Sequence, residues 1–337
     1  MTEDDGWKTL FHPFEAGELA LPGNDSHVLF LGAEPGFRLP EGFGGQLTVV
    51  QGFRPSFLEL ERRGLRVIPQ LDGGVYDVAL VQGGRHRGRN EHWIGEAVAG
   101  LRSGGLIVVA ASKKNGGDSL RKRMAKLLPL DGHQSKHHGI VFWFARPDRP
   151  LPAADDASAV EGGFQTAPGM FSHGRIDPGS RLLAAHLPAN IKGAVADLGA
   201  GWGYLSAQVL ERADDKATLH LYEADFESCA AARANLAHHG AGTPRAEIFW
   251  RDVTSEPLER TYDLIVMNPP FHRTGHGADP AIGIAMIAAA ARGMKKGGRL
   301  YLVANSALPY ERALSASFPR VEEIAREGGY KVIVATR

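Results

Sequence analysis

The chain reads as an α/β protein of two tandem domains, each a mostly parallel sheet with helices on both faces. Three observations predict this. Short apolar runs alternate with helix-period segments in both halves of the 337 residues, the pattern of strand–helix–strand units. Three segments recur in the same order in each half, which points to a duplicated domain. Between the halves lies a Pro-, Ala- and Asp-rich stretch, Pro147 to Gly163, with no apolar period. The expected boundaries are therefore 1–147 for the first domain, 148–163 for a linker and 164–337 for the second.

In the second half, strands are expected at Ala194 to Leu198, Thr218 to Tyr222, Ala246 to Trp250, Tyr262 to Met267 and Arg299 to Ala304. Helices fit between them, at Tyr204 to Ala213, Phe226 to His238 and Pro280 to Met294. Val321 to Ala325, the Gly328-Gly329 turn and Tyr330 to Thr336 predict a closing antiparallel hairpin.

The first half repeats this outline. Phe30-Leu31-Gly32-Ala33-Glu34-Pro35-Gly36-Phe37 lies over Asp197-Leu198-Gly199-Ala200-Gly201-Trp202-Gly203-Tyr204, and Tyr76 to Gly84 lies over Tyr262 to Pro270. Ser103 to Val109 lies over Lys296 to Leu302. The differences are chemical: Phe30 stands for Asp197, Glu34 for Gly201, Gln51 for Glu223, and Gln82-Gly83-Gly84 for Asn268-Pro269-Pro270. Each removes a group that ligand chemistry would need, so the first copy is expected to keep the fold and lose the site.

Composition bounds the function classes. No run approaches the roughly 20 apolar residues of a membrane span, and the acidic, polar start is wrong for a signal peptide. A single cysteine, Cys229, excludes an intrachain disulfide and a Cys-based zinc cluster, and suits a reducing cytoplasm. His133 and His137 have i, i+4 spacing without the glutamate of a zinc helix, so no metal site is expected. The net charge of zero is unevenly spread. Met1 to Gly84 holds 6 Lys/Arg against 12 Asp/Glu, whereas Arg85 to His138 holds 11 against 4. Arg85, Arg87, Arg89, Lys113, Lys114, Lys122 and Lys126 form a basic stripe that fits phosphates, or simply a solvated helix face.

The chemistry concentrates in the second half. Asp197-Leu198-Gly199-Ala200-Gly201-Trp202-Gly203 follows a strand and opens a helix, where glycines let a ligand approach the backbone closely. Glu223, with Ala224 after it, ends the next strand, where a carboxylate accepts both hydroxyls of a ribose. Asp252 follows the third strand and is placed to accept from an adenine amine. Asn268-Pro269-Pro270-Phe271 follows the fourth strand, at the carboxyl edge where open α/β sheets bind ligands. Two prolines stiffen that turn, the Asn268 oxygen and Pro269 carbonyl can accept from one NH2 group, and Phe271 can stack on a flat partner. His272 beside them suits positioning or RNA contact rather than a general base.

These motifs resemble class I S-adenosylmethionine-dependent methyltransferases acting on exocyclic amines or amides. More narrowly, nearly the whole chain resembles the ribosomal RNA small subunit methyltransferase C family and its large-subunit relative. Gly169-Met170-Phe171-Ser172, Ile176 to Leu183, Asn268 to His272, Val303-Ala304-Asn305, Leu308-Pro309-Tyr310 and Tyr330-Lys331-Val332 carry that likeness. The resemblance implies two tandem Rossmann-like methyltransferase domains, the first degenerate, and methyl transfer to guanine N2 in ribosomal RNA, with 16S the expected target. It implies cofactor contacts by Asp197, Gly199, Ala200, Gly201, Gly203, Glu223, Ala224, Asp252 and Asn268, with guanine held by Asn268, Pro269, Pro270 and Phe271. It also implies a ribosomal RNA or subunit partner, with a monomer compatible. Trp202, where a smaller residue is commoner, and Glu223, for a frequent Asp, depart from the pattern without removing a needed group. Alternatives are the same chemistry on large-subunit RNA or on a protein glutamine amide, and a non-catalytic assembly factor.

Overall fold

The computed structural model describes residues 6–152, 158–239, 245–270, 272–274 and 277–337. The chain divides into two compact units, Met1–Ala157 and Ser158–Arg337. The first runs α1 (Gly6–Glu15), β1 (His27–Leu31), β2 (Gln46–Val50), α2 (Arg54–Arg62), β3 (Arg66–Ile68), β4 (Tyr76–Gly83), α3 (Arg87–Gly100), β5 (Leu101–Ser112), α4 (Gly117–Leu127), β6 (Gly132–Lys136) and β7 (Gly139–Ala145). The second opens with the hairpin β8 (Ser158–Val160) and β9 (Phe164–Thr166), so that a strand forms at the end of the stretch expected as linker. There follow α5 (Pro178–Ala185), β10 (Ala194–Leu198), α6 (Tyr204–Leu210), β11 (Thr218–Glu223), α7 (Phe226–His238), β12 (Ala246–Trp250) and β13 (Tyr262–Met267). A short hairpin, β14 (His272–Thr274) with β15 (Gly277–Asp279), precedes α8 (Ala281–Arg292), β16 (Met294–Asn305), α9 (Glu311–Ser317), β17 (Arg320–Glu327) and β18 (Tyr330–Thr336).

Each unit holds a seven-stranded sheet, and the strand orders correspond one to one: β3-β2-β1-β4-β5-β7-β6 and β12-β11-β10-β13-β16-β18-β17. Five strands run parallel and the last pair closes each sheet antiparallel. The central strands explain the order. Val28–Leu31 and the whole of β10 are buried, which a strand covered by helices on both faces requires. Where apolar side chains pair on both faces the register cannot slip by one residue without exposing them.

The register fixes which residues correspond. Leu31 pairs with Val50 and Val81, as Leu198 pairs with Tyr222 and Met267. Gln51 and Gln82 therefore occupy the places of Glu223 and Asn268. The likeness reaches details the sequence did not announce. Tyr76 and Tyr262 each pair with the first residue of the next strand before the same break in register. Asp77 and Asp263 each accept from the backbone N–H that opens the central strand, at His27 (2.7 Å) and Ala194 (2.8 Å). Among the described residues no helix is long and apolar enough to cross a membrane.

Candidate functional site

The glycine loop between β10 and α6 is a left-handed turn. Gly199, Gly201 and Gly203 have φ of 74°, 54° and 93°, where a Cβ is strained. The amides of Gly199 and Ala200 donate to the Tyr222 carbonyl at 2.8 and 3.1 Å, tying the loop to the end of β11. Glu223 at that end faces the loop: its Oε2 accepts from Gly201 N at 2.7 Å and its Oε1 from Asp225 N at 2.8 Å. Asp225 in turn caps α7 through Ser228 N. The Ala224 carbonyl accepts from Trp250 Nε1, a contact that holds β12 against the same turn.

Asp197 is fully buried in β10. Its Oδ2 accepts from Ser206 Oγ at 2.7 Å, and its Oδ1 is buried with no hydrogen-bond partner. Burial pushes its carboxyl up to about 7, the Ser206 bond opposing and the nearby Glu223 adding to the rise. Burial likewise lifts Glu223 to about 7, against the backbone bonds it accepts. Two neighbouring acids, one with an oxygen that has no partner, leave a local deficit of donors and positive charge.

Asn268 follows β13, and its Nδ2 lies 2.9 Å from Asp177 Oδ2 and 2.8 Å from Ser180 Oγ. Both partners belong to the start of α5, where Asp177 is the N-cap, Pro178 fills the first turn and Ser180 N donates to Asp177 Oδ2. Pro269 is buried and Pro270 exposed. Phe271 lies outside the described residues, and of His272 only its place at the start of β14 is described. Asn268, Asp177, Ser180, Gly199 and Gly201 line one cleft, with half-exposed Phe171 at its edge. Trp202 has a structural task there. Its ring is buried 5.2 Å from that of Phe164, and its Nε1 donates to the Phe171 carbonyl at 2.9 Å, holding residues 167–172 beside the cleft.

Not every expected residue converges on the cleft. Asp252 is buried, and its carboxylate accepts from Thr254 N, Thr254 Oγ1 and Ser255 Oγ within its own turn, which occupies much of its capacity. The basic residues belong to the first unit. Arg85 is exposed before α3, Arg87 and Arg89 open that helix, Lys113 and Lys114 lie in a 3-10 turn after β5, and Lys122 and Lys126 are exposed on α4. Arg87 is paired with Glu91, which also holds Arg123 at 2.6 Å. Asp177 and Ser180 were given no individual role by the sequence. An Asp-Pro pair is a signal that can open a helix, but no local pattern ties it to a residue 91 positions away.

S-adenosylmethionine fits these residues. Its sulfonium and ammonium charges, ribose hydroxyls and adenine amine are the donors and cations that the Asp197–Glu223 pair lacks, and the open glycine loop admits a close backbone approach.

The methyltransferase small domain family model matches residues 161–334. A ribosomal RNA small subunit methyltransferase C from Salmonella arizonae is 33% identical over 238 residues, 69% of this chain and 67% of that protein. Its namesake from Escherichia coli is 34% identical over 232 residues, 67% of this chain and 65% of its own length. Among solved structures, a T. thermophilus 16S rRNA N2 methyltransferase in complex with AdoMet and guanosine superposes with a TM-score of 0.78 at 24% identity, over 100% of this chain and 92% of that one. That likeness establishes the tandem fold of both units.

Proposed function

The chain belongs to the ribosomal RNA small subunit methyltransferase C family, and we propose that its second unit methylates the exocyclic N2 amine of a guanine in 16S ribosomal RNA. The observation that carries this reading is the single cleft shared by the glycine loop and Asn268. Bound S-adenosylmethionine supplies an electrophilic methyl group on a positively charged sulfur. Glu223 accepts from ribose hydroxyls, and the Asp197 carboxylate adds negative potential behind the loop. Asp252 would accept from the adenine amine with the acceptor capacity its own turn leaves free, and Ala224 would contribute backbone.

Asn268 Oδ1 and the Pro269 carbonyl accept the two N–H groups of the guanine amine. That would aim its lone pair at the methyl carbon and stabilise the positive charge that grows on nitrogen as the carbon–nitrogen bond forms and the carbon–sulfur bond breaks, releasing the neutral thioether. No strong base is needed, because the nitrogen proton becomes acidic only after the transfer and would then pass to water. Pro270 stiffens the turn, Phe271 stacks on the flipped base, and His272 contacts RNA. The first unit grips the RNA backbone through Arg85, Arg87, Arg89, Lys113, Lys114, Lys122 and Lys126. The working place is the cytoplasm, on ribosomal RNA or an assembled small subunit.

Purified protein, labelled cofactor and undermethylated small-subunit particles test the reading. Nuclease digestion and mass spectrometry are expected to find the label in N2-methylguanosine. Label confined to protein glutamine, or absent from guanine on every RNA offered, overturns it.

A further inference from the structure

A planar side-chain amide has nearly the same shape after a half-turn, so packing alone does not decide which end of Asn268 faces the cleft. Its neighbours do. Asp177 Oδ2 and Ser180 Oγ lie 2.9 and 2.8 Å from one end of the amide. An ionised carboxylate can only accept hydrogen bonds, so the NH2 end must face it. Turned the other way, the amide oxygen would meet a carboxylate oxygen with no proton between them. With one N–H given to Asp177 and the other to Ser180, the donors of the amide are used up, and Oδ1 remains as an acceptor.

We propose that Asp177 and Ser180 lock the Asn268 amide with its oxygen toward the acceptor substrate, making them positioning residues that select NH2-bearing acceptors over carbonyl-bearing ones. The inference rests on the function proposed above for what enters the cleft. Asp177 is itself held: the same Oδ2 accepts from Ser180 N at 2.8 Å, so the capped start of α5 carries the lock as a unit. The first unit provides a built-in contrast. At the place of Asn268 it has Gln82, whose Oε1 is buried without a partner.

An Asp177→Ser variant separates the lock from the cap, since serine caps helices well but is too short to reach Asn268. In cofactor-free full-length chain labelled with 15N-asparagine, the Asn268 side-chain NH2 signal is assigned by its loss in Asn268→Asp. Its hydrogens are expected to exchange slowly in the wild type and at least about tenfold faster in Asp177→Ser, with Ser180→Ala between the two. Single-turnover transfer at saturating cofactor should fall about ten- to a hundredfold in Asp177→Ser, with cofactor Kd within about threefold and melting temperature nearly unchanged. The double variant Asp177→Asn with Asn268→Asp exchanges donor and acceptor across the contact, and it should recover about tenfold over Asn268→Asp alone. Unchanged exchange in both Asp177→Ser and Ser180→Ala overturns the lock, as does a rate loss that merely follows melting temperature. Should guanine prove not to be the substrate, the exchange measurement still decides the lock.

Discussion

Gln51, just past the end of β2, and Glu223, the last residue of β11, hold corresponding places in the two units, and on one oxygen each accepts from the amide two residues on, Phe53 N at 2.9 Å and Asp225 N at 2.8 Å. They differ at the other terminal atom. Glu223 Oε2 accepts from the glycine-loop amide of Gly201, whereas Gln51 Nε2 donates to the loop carbonyl of Ala33 at 2.9 Å. The carboxylate keeps spare lone pairs beside an open loop; the amide closes on its loop. The central strand repeats the contrast. Asp197 is buried with one oxygen lacking a partner, while Phe30 at the same register is fully buried 5.1 Å from the ring of Phe37. A buried Phe contributes about 1.5–3 kcal/mol, and a buried polar atom without a partner costs about 1–3 kcal/mol. At these two positions the first unit has taken the stabilising choice and the second retains the costly one. A cost kept at Asp197 and relieved at its counterpart Phe30 is what the proposed binding role requires.

The largest expected effect breaks that contrast at the fourth strand. Asn268→Ala should lower methyl transfer by about a hundred- to a thousandfold, the scale of losing a charge-stabilising contact in a transition state. Cofactor affinity should stay within a few-fold by calorimetry, and Gln82→Ala should leave transfer unchanged. Next comes the exchange of the strand-end residues. Glu223→Gln, which installs the first unit's choice in the second, should weaken cofactor binding about ten- to a hundredfold, the range for losing charge-assisted hydrogen bonds. The reverse change, Gln51→Glu, should lower the stability of the first unit by about 1–3 kcal/mol in denaturant unfolding, because it sets a carboxylate against the Ala33 carbonyl.

A smaller effect follows from protons. Asp197 and Glu223 titrate near 7 when folded, above their ordinary 3.8 and 4.5, so the cofactor-free fold holds protons that the unfolded chain has released. Stability from these neutral acids is complete below about pH 4 and is lost as pH rises through about 7. Cofactor binding favours the ionised forms, so affinity should rise about tenfold between roughly pH 5.5 and 7.5 with proton release. Calorimetry in buffers of different ionisation enthalpy measures both. Affinity independent of pH would remove the two acids from the cofactor site. The smallest expected effect belongs to the first unit: Lys122→Ala with Lys126→Ala should weaken RNA binding a few-fold and reduce the salt slope by about 1 per lost phosphate contact. An unchanged slope would leave these lysines as a solvated helix face.

The sheets and the duplication were legible because they rest on local pattern: apolar runs for β10 and β13, and a glycine turn after each central strand. Boundaries were less so. β16 begins at Met294 rather than Arg299, because a register break lets Met294 pair with Tyr262 before the strand resumes at Arg299. α8 accordingly ends at Arg292 and α6 at Leu210, short of the expected Met294 and Ala213. In the site, the glycine loop and Glu223 could be read from strand-end position. Asp252 could be named but not its engagement with Thr254 and Ser255, which depends on how the turn closes. The Asp177–Asn268 contact was out of reach because no sequence periodicity links a helix cap to a distant strand end.

Nucleoside mass spectrometry of 16S ribosomal RNA tests the account most directly, in a strain lacking this gene and complemented with wild type, Gln82→Ala or Asn268→Ala. The account predicts N2-methylguanosine at one site with wild type and Gln82→Ala, and its absence with no gene or with Asn268→Ala. Full methylation by Asn268→Ala, or its loss with Gln82→Ala at normal protein levels, would contradict the assignment of chemistry to the second unit.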